Sequence, residues 1–226
     1  MSLLAAGLPT TRRVLRAAKA TYIERQDKID LGNLDRVDTR EALELPFERA
    51  GRRISPAALD LLTESSGGYP YAIQLYGKFT WRAAGHRPNV TIADARAGSE
   101  MAASKLVENV YEGRWEDLNG RERRYIGAYL ELAPGPVGAR TAELAGRLGG
   151  EQSDWSDVRD SLINVRHLMR QADRGRIVVD LPGFVGWLNS HRDDLEIATP
   201  APLPPAPSRG LGLKRADASD TEGAVD

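Results

Sequence analysis

Gly67-Gly68-Tyr69-Pro70-Tyr71-Ala72-Ile73-Gln74-Leu75-Tyr76-Gly77 governs how the rest of the chain is read. A glycine pair lets a helix end through a left-handed residue. A proline just beyond it opens the next helix, because its missing N–H falls where no intrahelical partner exists. The stretch therefore joins two helices. Unpaired amides at the second helix's start favour an anion, and three tyrosines with Gln74 add apolar faces bearing polar tips. A plain helix–helix turn packed by aromatic rings accounts for the same residues, and both readings stand at this point.

Working outward, residues 39–112 read as helical. Asp38 or Thr39 caps a helix with Glu41 in its first turn, running toward Pro46. Ser55-Pro56 opens a second, which carries Leu59 and Leu62 and leaves at Gly67-Gly68. Residues 69–84 form a third, with Ile73, Leu75, Tyr76 and Phe79 apolar and Gly85 as its cap. Thr91 opens a long fourth through Met101, Leu106 and Val110.

From residue 115 the pattern changes. Asn119 with Glu122 caps a helix bearing Tyr125, Ile126, Tyr129 and Leu130, which Pro134-Gly135-Pro136 breaks. Residues 140–148 make a short helix ending at Gly149-Gly150. Ser153 caps another with Trp155, Val158, Leu162 and Ile163. Residues 168–172 and 176–181 flank Asp173-Arg174-Gly175, a hairpin-turn composition, and one more helical turn follows over residues 184–188. Three helices followed by a hairpin is the order of a winged helix-turn-helix. Trp81 and Trp187 sit among apolar neighbours as core residues, whereas Trp115 and Trp155 are candidate surface anchors. The segment from Glu196 is rich in Pro, Ala, Gly and Ser and cannot offset its ordering entropy by burial, so a disordered tail is expected.

Four zones result: 1–38, a remnant of an α/β nucleotide-binding domain; 39–114, a helical domain; 115–195, a winged-helix domain; and 196–226, the tail. Apart from residues 1–6, no segment reads as a parallel-sheet strand. The fold class is mainly α.

The 226 residues carry 31 basic and 32 acidic side chains, so net charge exerts no overall pull on nucleic acid or anionic lipid. With no cysteine there is no disulfide framework, thiolate metal site or cysteine nucleophile. A mean hydropathy of −0.42 and the lack of a long apolar run argue against a spanning helix, and a cytoplasmic location is expected. His86, His167 and His191 have no metal-ligand spacing. The Gly77-Lys78 pair precedes Phe79 inside a helix, unlike a phosphate loop G-x-x-x-x-G-K-[ST]. The expectation is a chain that is not an enzyme and holds no metal or cofactor.

The stretch at 67–77 resembles the segment opening the last lid helix in bacterial AAA/STAND-type ATP-binding proteins related to origin-recognition ATPases. Gly7-Leu8-Pro9 and Ala20-Thr21-Tyr22-Ile23-Glu24-Arg25 resemble the region after the sensor-1 strand. Ala42-Leu43 with Pro46 resembles the start of the lid, and Leu181-Pro182-Gly183-Phe184 fits the C-terminal winged helix. The resemblance implies an AAA lid-like bundle followed by a winged helix with a β-hairpin wing. It implies that Gly68, Tyr69 and Pro70 line the adenine and phosphate side of a cleft, and that ATP and magnesium belong only to a full-length relative. Arg25 is the candidate arginine finger, with an ion pair to Glu24 or Asp27 as its alternative role. The family's sensing arginine is replaced by Pro70-Tyr71, and its Walker A and B half has no counterpart here.

Residues 115–195 hold 11 arginines against 13 carboxylates, with Asp154, Asp157 and Asp160 on the helix that would read DNA. Arg121, Arg123, Arg124, Arg174 and Arg176 are the candidate nucleic-acid contacts. The preferred expectation is a non-catalytic regulatory or interaction fragment whose partner is a protein or the missing nucleotide-binding domain. A winged-helix transcription regulator and a truncated product of an ATPase gene are the alternatives, and no membrane partner is expected.

Overall fold

The computed structural model describes residues 32–173, 175–195 and 197. Arg25, Arg174, the expected remnant up to residue 31 and nearly all of the expected tail lie outside these.

Helix α1 spans Arg36–Arg49 and is capped by Asp35, whose carboxylate accepts from the Asp38 amide at 2.8 Å. This corrects the expected cap at Asp38 or Thr39. Thr39 is buried inside the helix, and its hydroxyl donates back to Asp35 O at 2.6 Å. The helix also continues through Pro46. An interior proline costs about 3 kcal/mol, and burial of Leu43 and Phe47 on either side of it offsets that cost. Helix α2, Pro56–Ser66, starts at Ser55 and leaves through Gly67 at φ 54. Helix α3, Pro70–Ala84, follows the glycine turn and ends at Gly85. Leu34 meets Gly68, Leu43 meets Gly77 and Phe47 meets Trp81, so α1 and α3 run side by side in the same direction.

Two short strands not foreseen from sequence, β1 (Arg53–Ile54) and β2 (Asn89–Val90), pair in parallel and tie the starts of α2 and the next helix together. Two residues are too few to produce an apolar run, which is why sequence patterning missed them. Helix α4, Ile92–Leu106, begins with a reciprocal Thr91–Asp94 capping box. Its Ala95, Gly98 and Ala102 are fully buried, and a Cβ on Gly98 would stand 2.4 Å from Thr80 N of α3. The small residues let the two backbones nearly touch.

Helix α4 does not stop at Leu106. It runs through a π turn, Val107–Tyr111, into α5, Glu112–Glu116, with the Glu112 amide bonded five residues back to Val107 O. The same unbroken rod thus closes the first unit and opens the second. Trp115 on it is 3% exposed, and Trp155 is 8% exposed; neither is the surface anchor expected for it. Trp81 is the reverse, 37% exposed although expected in the core, with Phe47 against its ring and the Arg52 guanidinium 4.1 Å from the ring centroid. Trp187 is buried as expected.

The second unit comprises α6 (Gly120–Leu132), β3 (Ala139–Arg140), α7 (Thr141–Leu148), α8 (Ser156–Asp160) extended by a π turn (Ser161–Val165), β4 (Met169–Asp173), β5 (Arg176–Val179) and α9 (Phe184–Ser190). The Asn119–Glu122 capping box forms as read. The helical turns leading into α8 are capped by a Glu151–Asp154 exchange rather than by Ser153. The strands make an antiparallel sheet in the order β3-β5-β4, with Ala139 opposite Ile177 and Met169 opposite Val179. Architecture is therefore mainly helical with one small antiparallel sheet, and β3 is the part of that sheet absent from the sequence reading.

Candidate interaction site between the two units

The glycine turn is closed within itself, Tyr69 N donating to Ser66 O at 3.0 Å, and from there the molecule's two units meet. Gly67, left-handed, faces the second unit: a Cβ there would lie 2.6 Å from Cγ of Pro182. Gly68, at φ +76, faces the incoming chain, where the Leu34 amide donates to Gly68 O at 2.8 Å and Leu34 O leaves 2.1 Å for a Cβ. Only glycine satisfies both the angle and the gap. Asn33 spans the remaining distance, its Nδ2 donating to Asp180 O at 3.1 Å.

Tyr111, in the π turn, completes the junction. Its hydroxyl donates to Pro182 O, and its ring packs edge-on to Phe184 at 5.5 Å and against Trp187 at 5.7 Å. Gly183 fits beneath it, since a Cβ there would come within 2.6 Å of the Tyr111 hydroxyl. Burial pushes the Tyr111 phenol well above the usual tyrosine range, and Tyr76 and Tyr69 nearby add to the shift. The group stays protonated and keeps its donor role. Tyr71 accepts from Asn109 Nδ2 at 2.8 Å, which pins α3 to the same π turn.

Of the three residues expected to line a nucleotide cleft, Gly68 is buried beneath Leu34, Tyr69 is half-buried with its ring 6.4 Å from that of Tyr71, and Pro70 is exposed. The expected DNA-contacting arginines do not gather on one face; each is engaged by its own fold. Arg121 pairs with Asp157 at 2.6 Å and donates to Asp154 O, with Trp155 beneath it. Arg123 donates to Glu116 O over Trp115, and Arg124 to Leu148 O. Arg176 donates to Gly138 O at 2.8 Å.

A second polar centre lies at the start of α6. Glu122 is 1% exposed, accepting from Asn119 N at 2.8 Å, Ser161 Oγ at 2.6 Å and Arg166 Nε at 3.2 Å. Burial alone would raise its pKa; those three donors outweigh it and hold the carboxyl below its usual value. Arg114 of α5 reaches Arg166 O at 2.6 Å, linking this centre to the rod.

Asn33, Leu34, Tyr111 and Pro182 were not singled out as contacts by sequence reasoning. The only signal was the Pro182-Gly183 pair, which marks a tight turn but not what it touches. Among the described residues, no His, Cys, Asp and Glu cluster could hold a metal, and no helix is long and apolar enough to cross a membrane.

Fold and junction define a mainly helical, two-unit protein whose units share one helix and one packed turn. Residues 108–188 match a family model described as a domain of unknown function, DUF8462. The matched span opens inside the π turn and closes in α9, so it takes in Tyr111, Pro182 and the whole small sheet. No curated protein and no solved structure matches the chain.

Proposed function

We propose that this chain is a non-catalytic regulatory and interaction module belonging to an ATP-binding protein of the AAA/STAND class, with residues 39–114 as its lid-like bundle and residues 115–195 as its winged helix. The observation that carries the reading is the junction. The turn resembling that family's nucleotide-facing segment is bonded to the incoming chain at Leu34 and packed on Pro182 of the second unit. A displacement at Leu34 is thereby delivered to both units at once. The helix–strand–helix–helix–strand–strand order with sheet order β3-β5-β4 favours a winged helix for the second unit. Its partner, in this reading, is a protein or a nucleotide-binding domain in the cytoplasm. ATP and magnesium are cofactors of that larger assembly, and Gly68, Tyr69 and Pro70 support the junction more directly than they support nucleotide.

The same strand and helix order favours a second reading, a DNA-binding transcription regulator. Against it, the four described candidate arginines already donate within the protein. Two measurements separate the readings. The chain alone is expected to show no ATP turnover above background; turnover lost on changing Tyr69→Ala overturns the non-catalytic assignment. A mobility shift that weakens steeply as salt rises identifies a DNA binder, whereas the module reading expects none. The coupling itself is tested by amide exchange: Pro182→Ala should speed exchange both at 67–69 and at 183–188, and a change confined to one side defeats it.

A further inference from the structure

A cleft of about 240 Å³ opens between the start of α7, the helical segment 152–163 and the β4–β5 hairpin. Thr141, Gln152, Arg159, Gln171, Gly175 and Arg176 supply its polar wall, and no carboxylate lines it. The network around it orients these groups. Thr141 N donates to Gly175 O at 2.8 Å, closing the hairpin onto α7. The Thr141 hydroxyl lies 2.8 Å from Gln152 Oε1, so the carbonyl end of that amide is occupied and its NH2 is the donor end left over. One nitrogen of Arg176 is spent on Gly138 O, which fixes the guanidinium beside the cleft. Arg159 is half-buried, and among the described residues it has neither a hydrogen-bond nor an ion-pair partner.

We propose that this cleft is a binding site for one compact oxyanion, a phosphate monoester, held by Arg159 and Arg176 with Gln152 and Gln171 as neutral donors. Two guanidiniums with no counter-charge in the wall give charge-assisted bonds of the geometry phosphate oxygens accept. The surroundings limit what can enter. Asp154, Asp157 and Asp160 stand exposed on the same helical segment, so an extended polyanion that must run past them is repelled while a single phosphate group is not. The site does not depend on the lid reading above and survives its failure.

The test is a titration of the full chain, at constant ionic strength, followed by amide NMR. Inorganic phosphate and phosphoserine are compared with chloride and with a short DNA duplex. Saturable shifts confined to Thr141, Gln152, Arg159 and Gly175 are expected with inorganic phosphate and phosphoserine, but not with chloride. Arg159→Gln should weaken binding about tenfold, Arg159→Lys should restore part of it, and Gln171→Glu, at an exposed position, should abolish it without altering the melting temperature. Shifts that never saturate or that spread over the surface overturn the site, as does an Arg159→Gln variant that binds unchanged. Saturation by duplex alone assigns the cleft to nucleic acid and overturns the compact-anion assignment.

Discussion

The first unit and the second reach similar compactness by different means. In the first, α3 and α4 approach so closely that Gly98 faces the Thr80 backbone, and specificity comes from the absence of side-chain atoms. In the second, the helices stand further apart and are fixed by a buried carboxylate, Glu122, that answers to a backbone amide, a hydroxyl and a guanidinium from three different segments. A backbone contact tolerates no added volume. A polar centre tolerates no lost partner. The two units should therefore fail to opposite kinds of substitution.

The largest effect that would break this contrast belongs to the first unit. Gly98→Leu should destabilise the chain by about 3 kcal/mol or prevent its folding, because the helices must separate to admit the side chain. A variant melting within a few degrees of the parent shows that the crossing is not so tight. Next comes Glu122→Ala, expected to cost about 2 kcal/mol by leaving Arg166, Ser161 and the Asn119 amide without their acceptor. Denaturant unfolding measures it. An Ala95→Gly change in the first unit should cost less, about 1 kcal/mol, and equal losses for the two would erase the distinction.

Acid sharpens the comparison further. Glu122 in the second unit and Asp94 in the first are both held below their ordinary values; for Asp94, burial opposes the shift, and Thr91 and Arg87 outweigh it. A carboxyl whose folded pKa lies below its unfolded one adds stability in full above the unfolded value, about 4. That contribution drains away as pH falls through the folded value. Melting temperature should drop on acidification below pH 4, and Glu122→Gln should flatten part of that drop. Tyr111→Phe removes one bond to Pro182 O and should cost about 1 kcal/mol, felt as faster amide exchange at the junction of both units. Smallest of all, Arg121→Ala breaks an ion pair exposed at both ends and should cost about 0.5 kcal/mol or less.

Local chemistry made part of this fold legible. Ser55-Pro56, Thr91 with Asp94, Asn119 with Glu122, and the glycine exits at Gly67, Gly85 and Gly149 all carry their signals within four residues, and each forms where the sequence placed it, though Asp94 was not named beforehand. The hairpin around residue 174 was legible for the same reason. What escaped notice depended on distance or brevity. The pairs β1–β2 and β3–β5 are two residues long, below any periodic pattern. Burial of Trp115 and Trp155 and exposure of Trp81 depend on which helix lies opposite, not on their neighbours in sequence. The junction unites Leu34, Gly67 and Pro182, and no short-range rule joins positions so far apart. Within the candidate site, the glycine pair stood out while the partner that makes it necessary did not.

The π turn at Val107–Tyr111 holds one residue more than a regular helical ladder needs. Each residue advances a helix by about 100°, so that single surplus residue sets the azimuth at which the second unit leaves the first. Excise one residue from the turn, and both cores keep every internal neighbour while the Tyr111 phenol swings away from the Pro182 carbonyl. Orientation between the halves of this molecule is thus written as a phase angle along one rod, adjustable by length alone.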